Sequence, residues 1–103
     1  MAIQNTAVTN GAATSIYTSS GASAITTVHL ANYTNATVVA NIYVVPSGGS
    51  AGNATVIYPN YSITAYNTLI IYQEKFILGN GDAVMANCSA ANSITATVSS
   101  IGI

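Results

Sequence analysis

The chain has 103 residues, half of them hydrophobic and only 3% charged, with one Lys or Arg against two Asp or Glu, where ordinary soluble domains carry about 25% charged residues. One cation supplies neither a basic groove for nucleic acid nor a basic amphipathic helix for a membrane surface, and no apolar run approaches the roughly 18 residues of a membrane span. The length allows one domain over residues 1–103, and the lone Cys88 rules out an internal disulfide.

Disorder does not explain the missing charge, because disordered chains are poor in β-branched residues and this one is rich in them. Assembly does explain it. A surface packed against neighbours needs few charges, and interface cores are depleted in them.

Read in order, the chain is a succession of short alternating segments separated by turn residues. Residues 1–14 are small and neutral, and predict either an N-terminal arm that adds a strand to a neighbour or an edge strand. Strands are expected near 3–8 and 14–18, divided by Asn10-Gly11. After Ser20-Gly21 comes a strand over 23–33. It carries Ala24, Thr26, Val28 and Leu30 on one face, and Ile25, Thr27, His29 and Ala31 on the other. The next strand, 37–45, has Val38, Ala40, Ile42 and Val44 opposite Val39, Asn41, Tyr43 and Val45. Both faces of these two strands are partly apolar, which predicts cover on both sides, once by the protein's own core and once by a neighbour.

Pro46 to Asn53 is the longest loop and reads as flexible. Beyond it, Pro59-Asn60 predicts a turn between strands 54–58 and 61–65. Further strands are expected at 68–72, 75–78, 83–89 and 94–101. No segment shows a helical stripe. Many short strands with regular turns predict an all-β protein, an antiparallel β-sandwich of jelly-roll-like form.

Two passages carry a resemblance. One is Ser15–Pro46, in which Tyr17-Thr18, Gly21 and Ala24 lead to Ala31-Asn32-Tyr33-Thr34 and then a second apolar strand. The other is Phe76–Ile103, in which Gly81-Asp82 precedes Ala86, Ser89 and a final alternating strand. Together they resemble a family of small virion structural proteins of tailed bacteriophages, of the head decoration or cement type or the tail- and fibre-associated type. This chain departs from it in placing Asn, Ser, Thr and Tyr where charge is expected between the matched positions. The resemblance implies a non-enzymatic accessory protein. Its partners would be other virion proteins and copies of itself, without nucleic acid, membrane or cofactor. Its location would be the virion, after synthesis in the host cytoplasm, in keeping with an opening MAIQNTAVTNG that lacks the basic region and apolar stretch of a secretory signal. The alternative reading is a receptor- or glycan-binding module of a tail or fibre appendage.

The individual residues offer little chemistry. Gly81 and Asp82 read as a structural turn, the carboxylate accepting backbone N–H groups. A metal site would need several oxygen ligands, and Glu74 is the one other carboxylate. Glu74 and Lys75 read as a wet hairpin tip and a candidate inter-subunit charge pair. His29 has no second His and no G-x-S-x-G elbow to serve, so it reads as a packed or interface residue. Cys88 shares a face with Val84 and Ala86 and reads as a small buried hydrophobe. Tyr58, Asn60, Tyr61 and Tyr66 form the candidate interface or ligand surface. Rings and amides of this kind suit protein contacts, and also sugars, whose apolar faces stack on tyrosine. Asn-x-Ser/Thr triplets at Asn32, Asn35, Asn53, Asn60 and Asn87 follow from the composition.

Overall fold

A computed structural model of the chain describes residues 2–71, 76–90 and 92–102. They form nine strands: β1 (Ala2–Ala7), β2 (Thr14–Thr18), β3 (Ser23–Asn32), β4 (Val38–Val45), β5 (Val56–Ile63), β6 (Thr68–Ile71), β7 (Phe76–Leu78), β8 (Ala83–Cys88) and β9 (Ile94–Gly102). All pairings between them are antiparallel. The pairs β1·β9, β2·β8, β3·β6/β7 and β4·β5 trace one long ribbon whose closed tip is the loop 46–55. β6 and β7 occupy successive lengths of the same edge of β3.

The ribbon then coils on itself. β9 pairs with β3, and β8 with β4, which divides the strands into sheet A, ordered β1-β9-β3-β6 with β7 also on β3, and sheet B, ordered β2-β8-β4-β5. The result is an antiparallel β-sandwich with jelly-roll connectivity. Coiling is the natural outcome for a ribbon whose strands are apolar on alternate residues, because the two apolar faces are buried only against each other.

The core lies between the sheets. β3 contributes Ile25, Val28 and Leu30, β9 contributes Ile94, Ala96 and Val98, β4 contributes Val38, Ala40 and Ile42, and β8 contributes Val84, Ala86 and Cys88. Each fully buried Ile, Leu or Val is worth about 1.5–3 kcal/mol relative to exposure. Register shifts in β2, β3 and β5 mark bulges, which raise the local twist that rolling up requires.

The predicted turn at Pro59-Asn60 is absent. The two strands expected at 54–58 and 61–65 are one continuous strand, β5. Ala40 faces Tyr61 and Ile42 faces Tyr58, so the ribbon absorbs the dipeptide as a bulge. β5 is an edge strand, and edge strands and bulges are where a sheet tolerates proline. Asn60 takes a φ of 48°, which Asn tolerates better than most residues, and its N–H donates to Asn41 Oδ1 at 2.8 Å.

Residues 2–7 pair with β9 of the same chain as the outermost strand of sheet A, and Val8 continues them into the core. The segment considered as an arm is therefore an edge strand here.

Candidate functional site

Three loops meet at one end of the sandwich: 19–22, 46–55 and 79–82. Asp82 joins them. Its Oδ2 accepts the Gly79 N–H and its Oδ1 accepts the Ser47 N–H, each at 2.9 Å, while Ser19 N donates to the Asp82 carbonyl and Gly81 N to that of Ser19. Gly81 holds a φ of +86°, and a Cβ there would meet Ser47 Oγ at 2.6 Å. The loop 46–55 is folded on itself, with Thr55 Oγ1 accepting the Gly52 N–H. This is a carboxylate used to fasten loops.

The Ser47 and Gly79 amides hold the Asp82 pKa below its ordinary value. A carboxylate with a folded-state pKa below the unfolded one stabilises the fold fully above the unfolded value, about 3.9, and loses that contribution as pH falls through the folded value. Acid titration of the urea midpoint should therefore show a fall at the low-pH end that is smaller in Asp82→Asn. Amide exchange at Ser47 and Gly79 should rise in the same range, and an unchanged acid limb in the variant would refute the role. Glu74 and Lys75, the candidate charge pair, lie outside the described residues.

At the opposite end, the buried Asn32 closes β3. Its Nδ2 donates to the carbonyls of Ala36, Ile63 and Thr64, and its Oδ1 accepts both the N–H and the hydroxyl of Thr34. Ala31-Asn32-Tyr33-Thr34, one of the passages behind the resemblance, is thus a corner that ties the β3–β4 and β5–β6 crossings together. A second buried polar group lies between the sheets, where Tyr17, Ser19, Ser23 and Ser100 share hydroxyl bonds. Bonding to Ser100, and then to Ser23, lowers the Tyr17 pKa. The cluster consists of hydroxyls alone and serves to bridge β2 and sheet A.

The candidate tyrosine surface divides. Tyr58 packs against the core and meets Tyr61 edge-to-face, ring centroids 6.0 Å apart. Tyr61 stands at the mouth of a cleft of about 300 Å³ where the edge strands β5 and β6 of the two sheets face each other. Ser62, Ile63, Thr64, Asn67, Thr68, Leu69 and Ile70 complete its lining. Tyr66 sits outside this cleft, exposed in the 64–67 turn with a φ of 58°. Asn60 spends its N–H on the bulge.

Asn60 also ends a row that sequence reading missed. Asn41 Nδ2 donates to Asn87 Oδ1, and Asn87 Nδ2 to the Gly11 carbonyl, so amides cross the outer face of sheet B from β5 to the β1–β2 loop. Asn41 and Asn87 are register partners. Their outward parity was visible in the sequence, but their pairing was not.

His29 is half-buried on the outer face of sheet A, beside Thr27, Thr97, Ser99 and Ile3. Cys88 is buried, its Sγ among the carbonyls of Val8, Thr9 and Ala90 and the Ser93 hydroxyl. Among the described residues, no three His, Cys, Asp or Glu side chains gather to hold a metal ion, and no helix is long and apolar enough to cross a membrane. Comparison of the chain with protein-family models, curated proteins and solved structures gives no match. Its class rests on its own architecture: an all-β, two-sheet antiparallel sandwich.

Proposed function

We propose that this chain is a non-enzymatic structural protein that works by association, an accessory decoration or cement subunit of a tailed-phage virion. The observation that carries the reading is the neutrality of its surface. Asp82 is the one charged side chain among the described residues, and it is spent on fastening loops. A folded chain with so little charge has weak colloidal repulsion and is suited to a surface covered by neighbours. Edge strands β1 and β5, the exposed Tyr33, Tyr61 and Tyr66, and the exposed isoleucines on the outer face of sheet A are the surfaces that neighbours would cover. The tailed-phage setting is supported by the Ala31–Thr34 and Gly81–Asp82 passages. Jelly rolls occur in viral capsid and lectin domains, but a fold hosts many functions and does not choose among them.

In particles of a phage carrying this chain, it should occupy regular sites in stoichiometric number, visible in a particle reconstruction. Particles lacking it should rupture at a lower temperature. Trace amounts in purified particles, or unchanged rupture without the chain, would overturn the proposal.

The cleft at Tyr61 favours a second reading, a glycan-binding module, because an aromatic ring stands there beside the Asn67 amide and the hydroxyls of Ser62, Thr64 and Thr68. Glycan-array binding that disappears in Tyr61→Ala, with the circular dichroism of the fold intact, would establish it. No binding by the wild-type chain would remove it.

A further inference from the structure

Four large aliphatic side chains are exposed among the described residues: Ile3 at 71%, Ile70 at 48%, Ile77 at 68% and Ile101 at 41%. All four lie on the same surface. Ile3 is the register partner of Ser99, Ile70 of His29, and Ile77 and Ile101 both of Ala24, and these partners all face outward from sheet A. The opposite parity of the same strands supplies the core, so these isoleucines cannot turn inward without a register slip that would expose Val28, Leu30 and Val98. An antiparallel sheet with one free face normally alternates apolar inside with polar outside. Here the outer face joins isoleucine to Thr27, Thr97 and Ser99 and has no Asp, Glu, Lys or Arg among the described residues.

We infer that this face is the contact surface of a symmetric homodimer, in which the outer face of sheet A stacks on the same face of a second copy. The inference rests on the structural reading above and deepens it by naming the surface and the partner. Size supports it. β1, β3 and β9 have six, ten and nine residues and β6 and β7 have four and three, and at about 3.4 Å per residue and about 4.8 Å between strands the face spans roughly 500 Å² in projection. Side-chain relief raises the accessible area above this projection, toward the roughly 800 Å² per partner of a standard interface. Shape supports it as well. A shallow hollow of about 210 Å³, lined by Ile3, Thr27, His29, Thr97 and Ser99, lies one strand away from the exposed Ile70. A two-fold pairing needs both a projection and a recess on one surface, since each copy must supply what the other receives. Charge points to a second copy over an unrelated partner. Two like faces normally repel through their matched charges, and the described residues of this face include no Asp, Glu, Lys or Arg to match.

The test is sedimentation velocity of the full chain from about 1 to about 100 µM, a range that resolves moderate and weak dimers. The wild-type chain should move from the mass of one chain to that of two. Ile70→Lys should weaken the dimer at least tenfold. Ile3→Lys, on a different strand, should do the same and guards against a folding defect in the first variant. Circular dichroism should show both variants folded, and Tyr61→Lys, on the edge of the other sheet, should leave the dimer intact. A wild-type chain that stays monomeric throughout overturns the dimer, while the structural proposal still stands or falls on particle occupancy. An oligomer dissociated by Tyr61→Lys but indifferent to both isoleucine variants also overturns the sheet A face.

Discussion

Replacing Asn32 by alanine should cost about 2 kcal/mol of stability, since it leaves the buried Ile63 carbonyl without this donor, at about 1–3 kcal/mol for a buried group, and takes bonds from the part-buried groups of Ala36, Thr64 and Thr34 as well. One side chain makes five hydrogen bonds here. The Asn32 amide feeds the carbonyls of Ala36, Ile63 and Thr64, at 2.8, 3.0 and 3.3 Å, and its oxygen takes both donors of Thr34. The side chain is almost wholly buried, at 2% exposure, and the Ile63 carbonyl beneath it is the partner with least access to water. Asn32→Asp should be at least as damaging at neutral pH, because it turns an anion toward three carbonyl oxygens. It should recover in part in acid, where the carboxyl can donate again. Urea unfolding at two pH values distinguishes these cases. A loss below about 1 kcal/mol in Asn32→Ala, within the range of a single ordinary hydrogen bond, would show that the corner is held by something else.

Leu30→Ala should be of similar or greater size, about 2–5 kcal/mol, the range for a leucine removed from a packed core. Leu30 is fully buried, flanked in sheet A by Leu69 on β6 and Ala96 on β9. Ala96 is too small to fill the space left behind, so a cavity should remain. In a small domain with a total stability of about 5–15 kcal/mol, this is a large share. The midpoint of urea unfolding should drop with little change in slope, and a loss under about 1 kcal/mol would mean that the inner face of β3 is not the centre of the core. Leu30 and Asn32 are two residues apart on the same face of β3, one in the dry middle and one at the sealed end. The double variant should therefore depart from additivity, as neighbouring sites do.

The one clear misreading of strands has a local cause. Pro59-Asn60 has the residues of a turn, and as an isolated peptide it would make one. What keeps β5 continuous is β4, whose Asn41 supplies an acceptor for the Asn60 amide, and a bulge on an edge strand, where proline is tolerated. Neither fact exists at the level of the dipeptide. The tyrosine group divides for a related reason. Tyr58 and Tyr61 come together because the bulge sets them beside each other, whereas Tyr66 is carried away by the turn that crosses from sheet B to sheet A.

The sequence by itself determined the strand class, nearly all of the strand positions, and the shared faces of Val38, Ala40 and Ile42 in β4 and of Val84, Ala86 and Cys88 in β8, because a period of two is a local property and β-branched residues dominate it. In β3 strict alternation put Ile25 opposite Val28 and Leu30, whereas the bulge between Ile25 and Thr27 turns all three into the core. The sequence also showed that β3 and β4 are apolar on both faces. Tertiary structure alone decided which strands are neighbours. The pairing of β1 with β9 joins residues about ninety positions apart, and alternation carries no information about partners. For the same reason only the fold could bring Ile3, Ile70, Ile77 and Ile101 onto one surface, set Asn41 against Asn87, and turn Asn32 and Asp82 into the fasteners of opposite ends. Each of these depends on register between strands distant in the chain, and register is fixed when the ribbon coils to bury its two apolar faces together.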